Sequence, residues 1–329
     1  MPASNSSTAC VILAAGESKR MKSSVSKVAH RLGGVPLILH VLNAVEDLVT
    51  DRIVVVISPG DGLIPRLVGD RARTAVQPEL LGTGHALMQA RPVLADFSGD
   101  LFVLCGDVPL ITPETLRKLL AFHRSESLDA TILSARLMDP TGYGRIIRRS
   151  GERVARIVEE ADAGFSEKVV EEVNSGSYCL RARDLWGLLE EIGNRNRQGE
   201  YYLTDLIGLL AKSGRPVGAY RTEDADEIRG INTRRQLAEA EKIFQRRAVR
   251  KLQEAGVSVV SPEMTDIEAG VEVGPDSVIY PFTVIGQGTR IGRDCRIGPF
   301  AHLLPGSIVP DGAEIRGTSE FSRHPSGSR

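Results

Sequence analysis

Cysteine is scarce in this chain. Four residues in 329, Cys10, Cys105, Cys179 and Cys295, stand far apart, and no two have metal-ligand or redox spacing. Reduced thiols in a cytosol are therefore expected. An excess of charge of one sign is also missing. Formal net charge is −1, with 41 basic against 42 acidic residues. No bulk basic field draws the chain to nucleic acid or an anionic membrane, so any anion site must be built locally. Long hydrophobic runs are absent too. The apolar stretch from Cys10 to Ala15 is too short for a signal peptide or a span, and MPASNSSTAC has no basic n-region. A cytoplasmic protein is expected. The dinucleotide fingerprint G-x-G-x-x-G is broken by Ser18, there is no Walker loop, and no Ser-His-Asp or Cys-His arrangement stands out.

What remains is an ordinary soluble composition, 42% hydrophobic and 25% charged, long enough for one large domain and a smaller one. Residues 9–15, 52–58 and the run DLFVLCGD read as buried parallel strands, the last ending at Gly106 and Asp107. Pro36 opens a helical pattern, and Thr112 with Pro113 reads as the N-cap and first position of another helix. This alternation predicts a doubly wound, Rossmann-like α/β sheet, in which ligands bind beyond the carboxyl ends of the strands. Residues 128–181 favour strands, with a glycine cluster at Gly142 and Gly144. An amphipathic helix is predicted from Thr233 to Glu254, stopping near Gly256.

The last third has a different period. From Ile267 to Ile315 an aliphatic residue recurs every six positions without a gap. Small residues, Ser277, Thr283, Thr289, Cys295, Ala301, Ser307 and Ala313, follow four places behind. Period six with one large apolar and one small position per unit predicts a parallel β-helix of about three triangular coils. The domains are thus expected at 8–232, a linker helix at 233–256, a short β-helix at 257–317, and a disordered tail at 318–329.

Three segments carry the chemistry. LAAGESKRMKSSVSK (13–27) runs from a strand into a loop with Gly16, Arg20 and Lys27, which can aim amides and cations at a polyphosphate. QPELLGTGHA (77–86) flanks Thr83 with Gly82 and Gly84, exposing backbone that can read a base edge. CGDVPLI puts Asp107 one step past a strand end, a hard oxygen ligand for magnesium. GYGRI, IVEE, EVNSG, EYYLTD and GIN follow, each placing a polar residue beside a glycine or at a strand end.

In order and spacing, LAAG…RM…K, LGTGHA, GDVPLI, TGYGRI, IVEE.DA, E.N.G, GEYYLTD and G.N.R.QLA.AE resemble one family. It is the bifunctional N-acetylglucosamine-1-phosphate uridyltransferase/glucosamine-1-phosphate acetyltransferases, and the resemblance covers residues 9 to about 305. It implies that the β-helix is left-handed and starts a truncated acetyltransferase domain. It implies that Leu13, Ala14, Ala15 and Gly16 cradle UTP, with Arg20 and Lys27 on its phosphates, and that Gln77, Gly82 and Thr83 read uracil. Asp107 and Asn232 match the protein ligands of Mg2+. Gly144, Glu159, Asn174 and Asn232 match the sugar site, with Tyr143 and Thr204 lining it.

The implied reaction is uridylyl transfer from UTP to N-acetylglucosamine-1-phosphate, giving UDP-N-acetylglucosamine and pyrophosphate, a step of cell-wall synthesis. A sugar phosphate is already an anion, so neither a protein nucleophile nor a general base is needed. Another sugar phosphate or dTTP, or a weakly active scaffold, are the alternatives. The family loop reads G-x-G-T-R-M and ends in Pro-Lys, whereas Ser18, Lys19 and Ser26 stand here. Ser18 brings a Cβ where backbone approaches phosphate. Acetyl transfer is not expected, because the hexads end at Ile315 and Leu304 replaces a family arginine. A homotrimer through the β-helix is expected.

Overall fold

A computed structural model describes residues 7–16, 18–149, 153–317 and 320–321. The chain divides into two compact units, residues 1–29 with 37–232, and residues 30–36 with 233–329.

The first unit is built on a nine-stranded sheet. Its strands are β1 Thr8–Leu13, β2 Ile53–Ile57, β3 Arg73–Val76, β4 Asp100–Cys105, β5 Ala130–Arg136, β6 Arg145–Arg148, β7 Val154–Val158, β8 Glu172–Arg181 and β9 Val217–Arg221. The main path runs β9-β5-β8-β4-β1-β2-β3, with β6 paired to β8 and β7 to β6. β1 and β2 are buried over nearly their whole length, so they read as continuous apolar runs rather than alternating ones. β1 pairs in parallel with both β2 and β4. The sheet is mixed, because β8 runs antiparallel to β4 and β5. That reversal brings the start of β8, with Asn174, to the same edge as the ends of β1 and β4.

Apolar clusters form on both faces of the sheet. One gathers Val11, Val54, Leu101 and Leu206, the other Ile12, Val55, Leu104 and Leu42. Adjacent strand positions point to opposite faces, which is why Val11 and Ile12 fall in different clusters. Helix α1, Leu37–Val45, buries six of its nine residues. It begins one residue after the expected Pro36, which instead pairs with Arg31 in a short hairpin. Helix α2, Pro113–Ser125, starts as expected, with Thr112 Oγ1 accepting from Thr115 N at 3.2 Å. Helix α3, Leu203–Lys212, follows the EYYLTD segment.

In the second unit, helix α4 spans Arg234–Glu254, capped by the Thr233 side chain. Its Val249 and Leu252 share a core with the β-helix aliphatics from Ile267 to Ile315. Strands eighteen residues apart pair in parallel, as in Ile279 with Ile297 and Ile285 with Leu303, and they stack into three sheets. This is the three-sided coil that the period predicts, with pairing consistent with the left-handed form. Ser277, Thr289 and Cys295 are fully buried at the small positions. Glu320–Phe321 adds a strand paired with His302–Leu303, one hexad past Ile315. Otherwise the expected tail, 318–319 and 322–329, lies outside the described residues. Among the described residues no helix is long and apolar enough to cross a membrane.

Candidate active site

Leu13, Ala14, Ala15 and Gly16 leave β1 still tied to its neighbour. Ala14 N donates to Val56 O at 2.8 Å, and Ser58 Oγ donates to Ala15 O at 2.8 Å. Together with Arg20, Lys27, Gln77, Gly82, Thr83 and Asp107 they line a cavity of about 550 Å³. Nine of these were expected around the nucleotide and Asp107 as a metal ligand, and the fold brings all ten to one crevice at the carboxyl ends of β1, β3 and β4.

The loop that carries the cations is folded into two short 3-10 turns, Lys19–Met21 and Lys27–Ala29. Met21 is 1% exposed and anchors the first. Ser18 O accepts from Met21 N at 3.0 Å, and Ser18 Oγ accepts from Lys27 N at 2.7 Å. Ser18 thus has a partner of its own, beyond the crowding expected from its Cβ. Lys27 Nζ donates to Asp107 Oδ2 at 2.5 Å and to Asn232 Oδ1 at 2.8 Å. Arg20 Nη2 donates to the same Asn232 oxygen at 2.9 Å. Asn232 is carried there by Ile231, whose N donates to Asp107 O at 2.9 Å. Two cations, one carboxylate and one amide therefore meet at a point.

The glycines at 82 and 84 have a role that the sequence reading does not give them. Gly82 has φ +105°, and a Cβ there would lie 2.7 Å from Tyr201 O. Gly84 N donates to Tyr201 O at 2.8 Å, Tyr201 N donates to Leu81 O at 2.7 Å, and Leu203 N donates to Thr83 Oγ1 at 3.1 Å. The glycines let segment 200–203 lie against this turn, so part of the backbone expected to read a base is already paired. Gln77 is buried, and its Nε2 donates to Gly82 O at 3.1 Å.

A second cavity of about 200 Å³ shares Leu13, Thr83 and Cys105 with the first. It holds Tyr143, Gly144, Glu159, Asn174 and Thr204, the residues expected at a sugar site. Asn232 is the exception: it sits in the cation cluster. Thr204 Oγ1 donates to Glu159 Oε1 at 2.9 Å. Asn174 Nδ2 donates to Tyr178 OH at 2.8 Å, and its Oδ1 accepts from Gly176 N at 3.0 Å. Burial holds the Glu159 carboxyl above the usual range; Thr204 opposes this, and Asp205, Asp162 and Glu200 add to it. Behind the pocket, Arg145 is 2% exposed and lies 2.7 Å from Glu160 Oε2. It also donates to Tyr143 O, while Gly142 N donates to Glu160 Oε2 at 3.3 Å. This pair, buried on the Arg145 side and half-buried at Glu160, ties down the 142–144 loop.

Among the lining residues that sequence reasoning did not single out are Glu200, Tyr178 and Cys105. Glu200 sits in the noted EYYLTD segment, and Tyr178 gave no signal. Cys105 lies between the cavities, its Sγ donating to Gly176 O at 3.3 Å. Burial, then the charge of Asp107, pushes its thiol up to about 12, so it stays protonated at neutral pH and is no thiolate nucleophile.

Asp107 and Asn232 offer two hard oxygens that converge on one cationic nitrogen. Such a donor set suits a divalent ion held mainly by substrate phosphates, with one or two protein ligands.

Residues 10–255 match the family described as the MobA-like NTP transferase domain. The bifunctional protein GlmU of Pelotomaculum thermopropionicum is 46% identical over 310 residues, which is 94% of this chain and 68% of that protein. GlmU of Acetivibrio thermocellus is 45% identical over 94% of this chain and 67% of its own length. GlmU of Halalkalibacterium halodurans is 45% identical over 85% and 62%. The chain thus spans about two thirds of the length of these relatives. By this extent of match, the chain belongs to the MobA-like NTP transferases and, among them, to the GlmU family.

Proposed function

We propose that this chain transfers a uridylyl group from UTP to N-acetylglucosamine-1-phosphate, releasing pyrophosphate. The observation that carries the reading is the junction of Lys27 with Asp107 and Asn232, set beside a cavity for a nucleotide and a smaller polar one. Family membership supplies the NTP transferase chemistry. The substrate pair rests on the order of the motifs.

The sugar phosphate oxygen attacks the α-phosphorus of UTP, a P–O bond forms, and the bond to the β-phosphate breaks. The electron pair leaves on pyrophosphate, and no proton has to move. The barrier is charge repulsion and orientation. Lys27 and Arg20 offset the charge of the phosphates, at positions fixed before substrate arrives. Leu13 to Gly16 and Gln77 hold the nucleotide, while Asn174, Gly144 and Glu159 hold the sugar. Alignment of two bound reactants is a term that reaches about 7–11 kcal/mol. Asp107 and Asn232 would hold a divalent cation, which we assign as Mg2+. When bound, it supplies neutralisation between the two phosphates.

A panel crossing several nucleoside triphosphates with several sugar-1-phosphates, read by pyrophosphate release, tests the reading. UTP with N-acetylglucosamine-1-phosphate is the expected best pair. A different sugar phosphate turned over about tenfold more efficiently, roughly 1.4 kcal/mol in the transition state, would overturn the substrate assignment. We place this activity in the cytoplasm, where UTP is available. We also propose a homotrimer through the β-helix, whose exposed Phe282 and Phe300 stack at 5.0 Å between ring centroids. A single sedimenting species of monomer mass at high concentration would remove the trimer.

A further inference from the structure

Lys27 is the side chain on which the cation cluster turns, yet it stands on a loop rather than on a strand or long helix. Its backbone N–H is the first of a three-residue turn and has no partner within that turn, since such donors look back beyond the first residue. Ser18 supplies the partner at 2.7 Å, across nine residues. The same serine closes the preceding turn through its carbonyl, which accepts from Met21 N at 3.0 Å. One residue therefore ties both turns together, and buried Met21 and Val28 root each of them in the unit. Ser26, just before Lys27, does not fix φ as a proline would, so nothing in the covalent chain restrains Lys27 from that side.

From this geometry we infer that Ser18 is a positioning residue. Its hydroxyl fixes the Lys27 backbone so that Nζ is held at Asp107 and Asn232 before substrate arrives. A long side chain swings about its Cα, so a small rotation at residue 27 displaces the ammonium several bonds away. Glycine at position 18 would remove the only atom that makes this bond. The inference rests on the proposed phosphate-handling role of Lys27 and deepens it, while the hydrogen bond itself can be examined without turnover.

The experiment compares Ser18→Ala, Ser18→Gly and Ser18→Thr with the wild-type chain. Losing one hydrogen bond of this kind lowers kcat about fivefold in Ser18→Ala, with the KM for the sugar phosphate unchanged. Ser18→Thr retains the hydroxyl and restores kcat to within about twofold of wild type. In a Lys27→Ala background, Ser18→Ala has no further effect, because the two act through one group. Separately, amide hydrogen exchange in the free protein reads Lys27 N–H directly, and its protection falls about tenfold in Ser18→Ala. Two results would overturn the inference. One is equal Lys27 exchange in wild type and Ser18→Ala. The other is a gain of UTP affinity in Ser18→Gly with Ser18→Ala like wild type, which would mean that the Cβ crowds the phosphates. If wild type turns over no substrate pair, the functional reading fails, and the exchange result still decides the hydrogen bond.

Discussion

Around Lys27 the larger cavity is held together by charge, whereas around Glu159 the smaller one is held by burial. The first places an ion pair with side chains 12% and 18% exposed, open enough to exchange its partners for phosphate oxygens. The second surrounds Asn174 and Thr204, 8% and 4% exposed, with hydrogen bonds to the Tyr178 hydroxyl and the Glu159 carboxyl and with close backbone. Charge suits the half that meets changing charge during a reaction, because fixed cations need no reorganisation there. Burial suits the half proposed to recognise a neutral ring, because an unpaired polar group in it is costly for the wrong ligand. Changes in the first should therefore act on turnover, and changes in the second on affinity.

The largest effect is expected at Asp107. Asp107→Ala removes the carboxylate bonded to Lys27, and kcat should fall by about 10²–10³ in a pyrophosphate-release assay. The KM for the sugar phosphate should stay within about threefold, if its ring binds in the smaller cavity as proposed. Asn232→Ala should lose about tenfold, since a neutral amide exerts less field than a carboxylate. Wild-type turnover in Asp107→Ala would place the chemistry away from this junction.

Two glycines sharpen the comparison at an intermediate scale. Gly82→Ala must put a Cβ 2.7 Å from the Tyr201 carbonyl while holding φ at +105°, and both neighbours there are firm. A cost of about 1–3 kcal/mol in stability is expected, with a raised KM for UTP. Gly144→Ala meets the Ile157 methyl at 3.0 Å and Glu159 Oε2 at 3.3 Å, which are side-chain atoms that can give way. A change of about twofold in the KM for the sugar phosphate, and little in melting temperature, is expected. Equal losses at the two positions would mean that the sugar pocket is as rigid as the turn at 82–84.

These particular residues also show what could be read from the sequence. Strand ends were legible, since an apolar run that stops at glycine or aspartate marks where a chain leaves a sheet. Gly16 and Asp107 follow from that alone. The β-helix was legible because one interior position recurs every sixth residue, and Ile285 and Ile297 are fully buried there. Partnerships across long sequence distance were not. Lys27 finds Asn232 across 205 residues, and Gly33 N finds the Glu241 carboxylate across 208. The second contact helps explain why residues 30–36 group with the second unit rather than with the sequence around them. Turns that depend on loop geometry, such as Ser18 with Lys27 or Gly84 with Tyr201, leave no periodic trace either.

The smallest effect is expected at Glu159, and its sign separates burial from charge. Burial raises this carboxyl above its unfolded value, so the fold favours the protonated form. That stability is fully present below the unfolded value of about 4.3 and is lost as pH rises through the folded one. Where the group is ionised it is therefore a cost to the fold, which we ascribe to what it would accept from the proposed sugar. Glu159→Gln removes the charge and keeps an oxygen for the Thr204 hydroxyl. Its melting temperature should rise wherever the wild-type carboxyl is ionised, because the substitution removes a charge that burial disfavours. The KM for the sugar phosphate should rise about fivefold, because an amide oxygen is a weaker acceptor than a carboxylate. In the wild type that KM should also climb as pH falls through the raised value, and the climb should be absent from Glu159→Gln. A melting temperature lowered by the substitution, with the pH dependence unchanged, would show that the Glu159 charge supports the fold, and that the smaller cavity is built by charge after all.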